Sequence, residues 1–368
     1  MNRKIPIAKP YFGEEEQQAV REVLESGYLA SGPRTRQFEK DYAEFVGAKQ
    51  AVLVTNGTVA LDVALKSLKI SSGDEVITSA FSFIASGNCI LFQNAKPVFA
   101  DIDPKTFNID ASDVAEKVTS KTKAIIPIYM FGQPANMDAI KEVAQDKKIS
   151  VVEDAAQAHG AEYKNQKAGS IGDLGCFSFY ATKNMTAGEG GMVTTSDQNL
   201  ADRARLLINH GQNQKYHHKI LGYNYRSTEM CAAIGLVQLK KLNRFNEKRI
   251  ANAERLNQEI SKLDGLTVPY VDKDVKHVFH QYVIKVEDSY PLNRDELADC
   301  LSKKGVGVAV HYPIAIYKQE LYKQLGYKDN QCPNTERACK QVLSLPVHPL
   351  VSKDDITYII DALKEVSK

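Results

Sequence analysis

The chain has 368 residues, 43% of them hydrophobic and 25% charged, with a net charge of +2. That length supports a large core and two domains, and the near balance of charge gives no reason to expect nucleic acid or an acidic membrane surface as a partner. The six cysteines form no C-x-x-C pair, so neither a zinc site nor a dithiol redox pair is expected, and no metal is assigned. No stretch approaches the roughly 20 apolar residues of a membrane span. The opening residues, MNRKIPIAKPYFGEEE, contain no apolar leader core, so the expected location is the cytoplasm.

Glu14 to Ser26 has helical periodicity and an acidic first turn that complements the helix dipole, and Gly27 ends it. A loop, GYLASG, and a second helix follow. From Ala51 onward, short apolar runs alternate with helical segments. AVLVT precedes NGT and VALDVALKSL; EVITS precedes SFIASGNCILF; KPVFADID precedes DASDVAEKV; TKAIIPIYMFG precedes ANMDAIKEVAQDKK; ISVVEDAA closes the series. This alternation implies parallel strands joined by right-handed crossovers, with ligands bound beyond the carboxyl ends of the strands. Residues 55–58, 81–83, 129–132 and 154–157 fall at those ends and are expected to converge on one crevice. DLGCFSFY and GGMVTTSD predict two further strands, and QNLADRARLLINHG a helix. A long helical stretch from Thr228 to Leu263 is expected to carry the chain into a second domain. The division is placed at 1–245 for a large domain with an N-terminal arm and 246–368 for a small one. In the small domain HVFHQYVIKV and VGVAVHYP predict strands. NRDELADCLSKKG, TERACKQVLSLP and KDDITYIIDALKEV predict helices, the first with an Asn cap.

Four places carry chemistry. Asn56-Gly57-Thr58 follows a strand and opens a helix, where free backbone N–H groups suit a phosphate; the same residues also read as a plain helix cap. Asp154 ends an apolar strand, where a carboxylate is costly to desolvate unless it meets a cation. The protonated ring nitrogen of pyridoxal phosphate is such a cation; a solvated acid or a helix cap is the other reading. Gln157 and His159 follow as candidate hydrogen-bond partners, although a single His beside glycine is more often structural. Lys183 lies in CFSFYATKNMTAGEGGMV, among apolar and small residues that permit burial. An amine used for imine chemistry must be partly neutral, and burial lowers its pKa; a lysine taken at random is a solvated charge. Phe83, just after EVITS, stacks on a planar ring or packs in the core.

Taken in order, TNGTVAL, SFIAS, VVEDAAQAHGA, FSFYATKNMTAGEGG and GYNYRST closely resemble the DegT/DnrJ/EryC1/StrS family of pyridoxal-phosphate sugar aminotransferases. The resemblance runs from GPRTRQFE to LSLPVHPLVSKDD, nearly the whole chain. It implies the aspartate-aminotransferase fold (fold type I), with a large, mostly parallel-sheet α/β/α domain and a smaller C-terminal α/β domain. Lys183 would form the Schiff base with the cofactor and move protons. Asp154 would pair with the ring nitrogen, Gln157 with the ring hydroxyl, and Phe83 would stack on the ring. Asn56, Gly57, Thr58 and Ser178 would hold the phosphate. Asn224, in GYNYR, would reach the phosphate of a neighbouring subunit, so a homodimer with shared sites is implied.

Dehydratases that resemble this chain carry His where Lys183 stands, which favours amino transfer here. The resemblance further implies L-glutamate as donor and a UDP- or dTDP-linked keto sugar as acceptor. His311-Tyr312 resembles the substrate-contacting position of the branch acting on 3-keto sugars. Arg226 would meet a sugar carboxylate or a diphosphate, or else make a structural ion pair. The GYLASG loop is a candidate flank of the nucleotide. Tyr129, Met130 and Ile316-Tyr317 depart from the His and Leu that members often carry there. The alternatives are a sugar dehydratase on the same cofactor and a non-catalytic sugar-binding regulator. No appended helix-turn-helix or basic stripe suggests DNA binding. A nicotinamide dehydrogenase is disfavoured, because no G-x-G-x-x-G follows the first strand.

Overall fold

A computed structural model describes residues 3–329 and 331–366. Among these, seven short strands build the main sheet: β1 (Gln50–Val54), β2 (Glu75–Ser79), β3 (Lys96–Ala100), β4 (Thr122–Ile126), β5 (Ser150–Asp154), β6 (Leu174–Ser178) and β7 (Gly191–Thr195). Their spatial order is β1-β7-β6-β5-β4-β2-β3. The pairs from β6 to β3 are parallel, while β7 runs antiparallel to both β6 and β1. β2 and β6 are buried at every position, as strands covered on both faces must be.

Alternation along β1 shows how the two faces are filled. Ala51 and Leu53 join Phe38 and Tyr42 of α2 (Pro33–Val46), which follows α1 (Glu14–Ser26). Val52 and Val54 face the other way, against α3 (Gly57–Ser67). α4 (Ala85–Leu91) follows β2, and α5 (Met137–Lys147) returns the chain to β5 on the α2 side. α6 (Gln198–Ile208) packs beside α3.

α7 (Glu229–Ile260) is 32 residues long, and its N-terminus is capped by Thr228, whose Oγ1 accepts from the Cys231 amide at 3.2 Å. It runs unbroken through the expected 245/246 division. Beyond it, β8 (Leu266–Thr267), β9 (Tyr282–Val286) and β10 (Val342–Leu345) form a three-stranded antiparallel sheet. Leu256, Ile284, Leu301, Leu343 and Ile359 share its core, the third and fifth supplied by α8 (Arg294–Lys303) and α10 (Lys353–Val366). Ile5, in the N-terminal arm, also packs in this core and bridges to Val306.

β7 is antiparallel because the chain returns to it from β6 through a loop, and a loop return requires no crossover helix. The structure differs from the sequence expectation in three places. In HVFHQYVIKV the strand begins only at Tyr282, since Phe279 has a left-handed φ of 43° that interrupts the extended run. VGVAVHYP forms no strand; it makes two isolated bridges, Val306 to Ile5 and Ala309 to Ser344. In TERACKQVLSLP the helix, α9 (Pro333–Gln341), stops at Gln341, and the apolar VLSL becomes β10. None of the helices described is long and apolar enough to cross a membrane.

Candidate active site

The carboxyl ends of β1, β5 and β6 meet. At β1, the Asn56 side chain accepts from the Val59 amide at 2.9 Å, and its carbonyl accepts from Ala60 at 3.0 Å. Asn56 is therefore the cap of α3. The first helical amides, at Gly57 and Thr58, have no intrahelical acceptor, which makes the helix start an anion seat. Ser178 ends β6 beside it: a Cβ added to Gly57 would lie 2.7 Å from the Ser178 Cβ. A Cβ on Gly191 would lie 2.3 Å from the Asn56 carbonyl oxygen. The two glycines thus let α3, β6 and β7 close around a small cradle lined by backbone and one serine hydroxyl.

Asp154 ends β5 and is buried. Its Oδ2 accepts from Ser86 Oγ at 2.8 Å and its Oδ1 from the Ala156 amide at 3.3 Å. Burial pushes the carboxyl pKa up, while Ser86, Ala156 and the charge on Lys183 pull it down. Glu153, one residue earlier, faces away from the crevice. Its carboxylate accepts from Tyr129 Oη and from the amides of Gly169, Ile171 and Gly172, each at 2.7 Å. The adjacent acids therefore divide the work: Glu153 ties the β5–β6 connection together, and Asp154 is presented to the site.

Lys183 sits in the loop between β6 and β7, where its amide donates to the Tyr180 carbonyl at 2.9 Å. Burial pulls its ammonium pKa down to about 8, with Asp154 acting in the opposite sense. Behind it, His159 is fully buried between Tyr42 Oη and the Ser178 carbonyl, both at 2.8 Å. The carbonyl can only accept, so Nε2 carries the proton and Tyr42 donates to Nδ1. Burial lowers the His159 pKa to about 3, and the neutral ring braces Ser178 from below.

On the opposite wall, Gln157 accepts from the Phe131 amide at 2.8 Å and donates to Tyr312 Oη at 3.2 Å. The Phe83 ring centroid lies 6.4 Å from that of Tyr312, and Phe83 is 57% exposed. It stands in the open crevice, away from the core. His311 pairs through Nδ1 with Ser344 Oγ at 2.8 Å; burial, aided by Lys183, takes its pKa to about 4. Arg226 donates from Nη1 to Asn209 Oδ1 at 2.6 Å, and its backbone bridges Val54 at the end of β1. Asn224 is exposed and bridges Asn209 through its backbone. The 223–226 segment therefore runs along the cradle side of the site, while His311 and Tyr312 line the Gln157 side. Ser86 went unassigned in the sequence; its signal was a hydroxyl within SFIASG, just past the end of a predicted strand.

A family model of DegT/DnrJ/EryC1/StrS aminotransferases matches residues 10–364. The chain belongs to this family. It is 42% identical to the spore coat polysaccharide biosynthesis protein SpsC of Bacillus subtilis, over all of this chain and 98% of that one. It is 36% identical to the UDP-N-acetyl-3-dehydro-alpha-D-glucosamine 3-aminotransferase of Acidithiobacillus ferrooxidans, over 94% and 92% of the two chains. Among solved structures it is similar to the PLP-form of the putative sugar aminotransferase Spr1654 of Streptococcus pneumoniae, with a TM-score of 0.94, 29% identity and 99% of each chain covered.

Pyridoxal phosphate is the cofactor of this family, and the residues present fit it. The Gly57–Ser178 cradle offers helix-start amides and a serine hydroxyl, donors that suit a phosphate. Asp154 is a buried acid held by two hydrogen bonds, and among the described residues the charge acting on it is Lys183 alone. A protonated ring nitrogen would complete its neutralisation.

Proposed function

We propose that this chain moves an amino group from L-glutamate to a nucleotide-linked 3-keto sugar, working in the cytoplasm as a homodimer with shared sites. The chain is a pyridoxal-phosphate-dependent sugar aminotransferase, and the observation that carries the reading is the Lys183–Asp154 pair. One is an amine made partly neutral by burial; the other is a buried acid poised for a cation. Bound pyridoxal phosphate supplies the electron sink through which an amine leaves one carbon and joins another. Lys183 is the amine that anchors the cofactor, and afterwards its Nζ takes and returns a proton at the reacting carbon. A pKa of about 8 suits both duties near neutral pH. Asp154 keeps the ring nitrogen protonated, Gln157 orients the ring hydroxyl from Nε2, and Phe83 covers one ring face.

Asn56, Gly57, Thr58 and Ser178 hold the phosphate: Asn56 fixes the helix start, and the others supply donors. Asn224, exposed on its loop, serves the site of a second copy. His311 and Tyr312 meet the sugar, and Arg226 meets the sugar carboxylate or the diphosphate. A lysine at position 183, where dehydratases of the family carry His, supports amino transfer over dehydration. The relative named for a 3-dehydro-glucosamine nucleotide supports the 3-keto assignment. The relative named for spore coat polysaccharide supports a product destined for surface glycan.

The test is a panel of UDP- and dTDP-linked keto sugars incubated with glutamate and analysed by mass spectrometry. The expected result is a 3-amino sugar nucleotide formed with one equivalent of 2-oxoglutarate. A deoxygenated sugar nucleotide that retains no amine, formed with oxidation of glutamate to 2-oxoglutarate and release of its nitrogen as ammonia, would establish the dehydratase instead.

A further inference from the structure

Lys183 carries its amine on a flexible four-carbon stem, so the aim of Nζ depends on how firmly the loop holds its backbone. The two ends of the loop are pinned to each other: the Phe179 amide donates to the Gly190 carbonyl at 2.8 Å, and the Ala187 amide to the Phe179 carbonyl at 3.0 Å. Its middle is held by a side chain. Asn184, the residue after Lys183, is buried, and its Nδ2 donates to Asn246 Oδ1 at 2.8 Å and to the Val278 carbonyl at 2.9 Å. Asn246 is a buried residue of α7, and its own Nδ2 donates to the His159 carbonyl at 2.8 Å. A longer tie to α7 runs from the Thr186 amide to Gln238 Oε1, at 3.4 Å.

The orientation of both amides is determined. A carbonyl oxygen only accepts, so Val278 fixes the NH2 of Asn184 and His159 fixes that of Asn246. Asn246 then turns its oxygen to Asn184, which is the side that needs an acceptor. Flipping either amide would set oxygen against oxygen or NH2 against NH2. Gly160, with a left-handed φ of 77°, leaves the room this needs: a Cβ there would lie 2.9 Å from Asn246 Nδ2. The anchors themselves belong to the site. The His159 ring holds the Ser178 carbonyl at 2.8 Å. The Val278 amide donates to the Gly132 carbonyl at 3.0 Å, in the turn whose Phe131 amide meets Gln157. Val278 packs in the core of the main sheet, and the next residue, Phe279, in that of the small sheet. One side-chain amide thus ties the neighbour of Lys183 to α7 and to the seam between the two cores.

Met185, the following residue, packs in the main core and sets the depth of the loop. Apolar packing is non-directional, however, whereas two hydrogen bonds from one NH2 fix direction as well. We propose that Asn184 is a positioning residue: gripping Asn246 and the Val278 carbonyl, it fixes the backbone of Lys183 so that Nζ is aimed at the cofactor and the reacting carbon. It acts through Lys183 and exchanges no proton itself. A misplacement of about 1 Å can cost a reaction about 100-fold, so the effect is measurable. This assignment rests on the reading of the crevice as an amino-transfer site.

Three readouts on the full-length protein test it, using Asn184→Ala and, from the other side of the same bond, Asn246→Ala. In the first, hydrogen exchange of cofactor-free protein is followed by mass spectrometry. The unaltered loop at 181–187 should be protected about 100-fold or more over an unstructured chain, and about tenfold less in either variant. An unprotected loop in the unaltered protein overturns the proposal, whether or not the variants fold. In the second, cofactor-free protein is mixed with pyridoxal phosphate and the absorbance band of its union with lysine is timed. Asn184→Ala should slow the band about tenfold or more. Its affinity for pyridoxine phosphate, which has no aldehyde and cannot join lysine, should change less than about threefold. An unchanged rate, or an equal loss of pyridoxine phosphate affinity, refutes the role. In the third, the glutamate half-reaction is timed with Lys183 present, and in Lys183→Ala with methylamine supplied as the base. Asn184→Ala should slow the first about tenfold or more and the second less than about threefold, because the free amine needs no aiming. Equal slowing in both backgrounds refutes action through Lys183. If the unaltered protein forms no band with pyridoxal phosphate, the functional reading fails and takes the role toward the cofactor with it. The exchange result still decides whether Asn184 holds the loop.

Discussion

Gly57→Ala probes the cradle directly. The added Cβ would sit 2.7 Å from the Ser178 Cβ, 3.2 Å from its Oγ and 3.3 Å from its Cα. Carbon atoms in contact prefer about 3.5–4.0 Å, so the overlap with Ser178 Cβ is close to 1 Å. The atoms struck are the root of a strand-end residue and cannot swing aside as a long side chain would. Relief requires α3 or β6 to move, at a cost of about 1–3 kcal/mol in stability. The same movement spreads the phosphate donors. Pyridoxal phosphate affinity should therefore fall about 10- to 100-fold, each tenfold being about 1.4 kcal/mol. Urea denaturation of cofactor-free protein reads the first effect, and fluorescence titration with the cofactor reads the second. The double variant Gly57→Ala with Ser178→Gly moves the methylene across the gap. It should regain more than about 1 kcal/mol of the lost stability, a coupling expected only between touching residues. Additive losses, or a Gly57→Ala protein with unaltered stability and affinity, would refute the cradle.

Three further outcomes follow from the same geometry. Glu153→Gln leaves an amide NH2 facing at least one backbone N–H whichever way it turns, because Oε1 serves Ile171 and Gly172 while Oε2 serves Gly169 and Tyr129. The expected loss is about 2–4 kcal/mol by urea denaturation, with any remaining folded protein still binding cofactor. The lowered pKa of Lys183 makes its burial costly while the amine is charged. In the cofactor-free protein the unfolded chain holds the extra proton between about 8 and 10.5, so stability should rise with pH across that window. Lys183→Met should remove that rise in parallel urea titrations at several pH values. Tyr312→Phe deletes the hydroxyl that receives the Gln157 hydrogen bond. It should raise KM for the sugar nucleotide about three- to tenfold and leave the cofactor spectrum unchanged.

Much of this architecture was legible from local chemistry. The acidic first turn of α1 and its left-handed Gly27, the Asn56 and Asn293 caps, and the strand-then-acid pattern at Asp154 are rules of single elements. They survive because nothing tertiary opposes them. Where tertiary structure decides, the sequence was silent. The direction of β7 depends on the loop through Lys183 folding back on β6, and no periodicity reports that. VLSL was read into the preceding helix because a short apolar run has no period of its own; only pairing with β9 makes it a strand. Glu153 and Asp154 are neighbours with opposite faces, so their roles separate only once the strand is placed. Ser86 matters through a contact 68 residues away in the chain, and no local motif marks it.

The central claim is that Lys183 is the amine that joins pyridoxal phosphate in this crevice. The most direct measurement is the absorbance of purified protein after equilibration with the cofactor and removal of excess, compared with Lys183→Ala. The unaltered chain should show a band near the edge of the visible. Borohydride should fix that band, and mass spectrometry should then locate the reduced adduct on Lys183. Lys183→Ala should bind the cofactor, through the cradle and Asp154, without that band or adduct. A reduced adduct on another lysine, or an unchanged band in Lys183→Ala, would contradict the account.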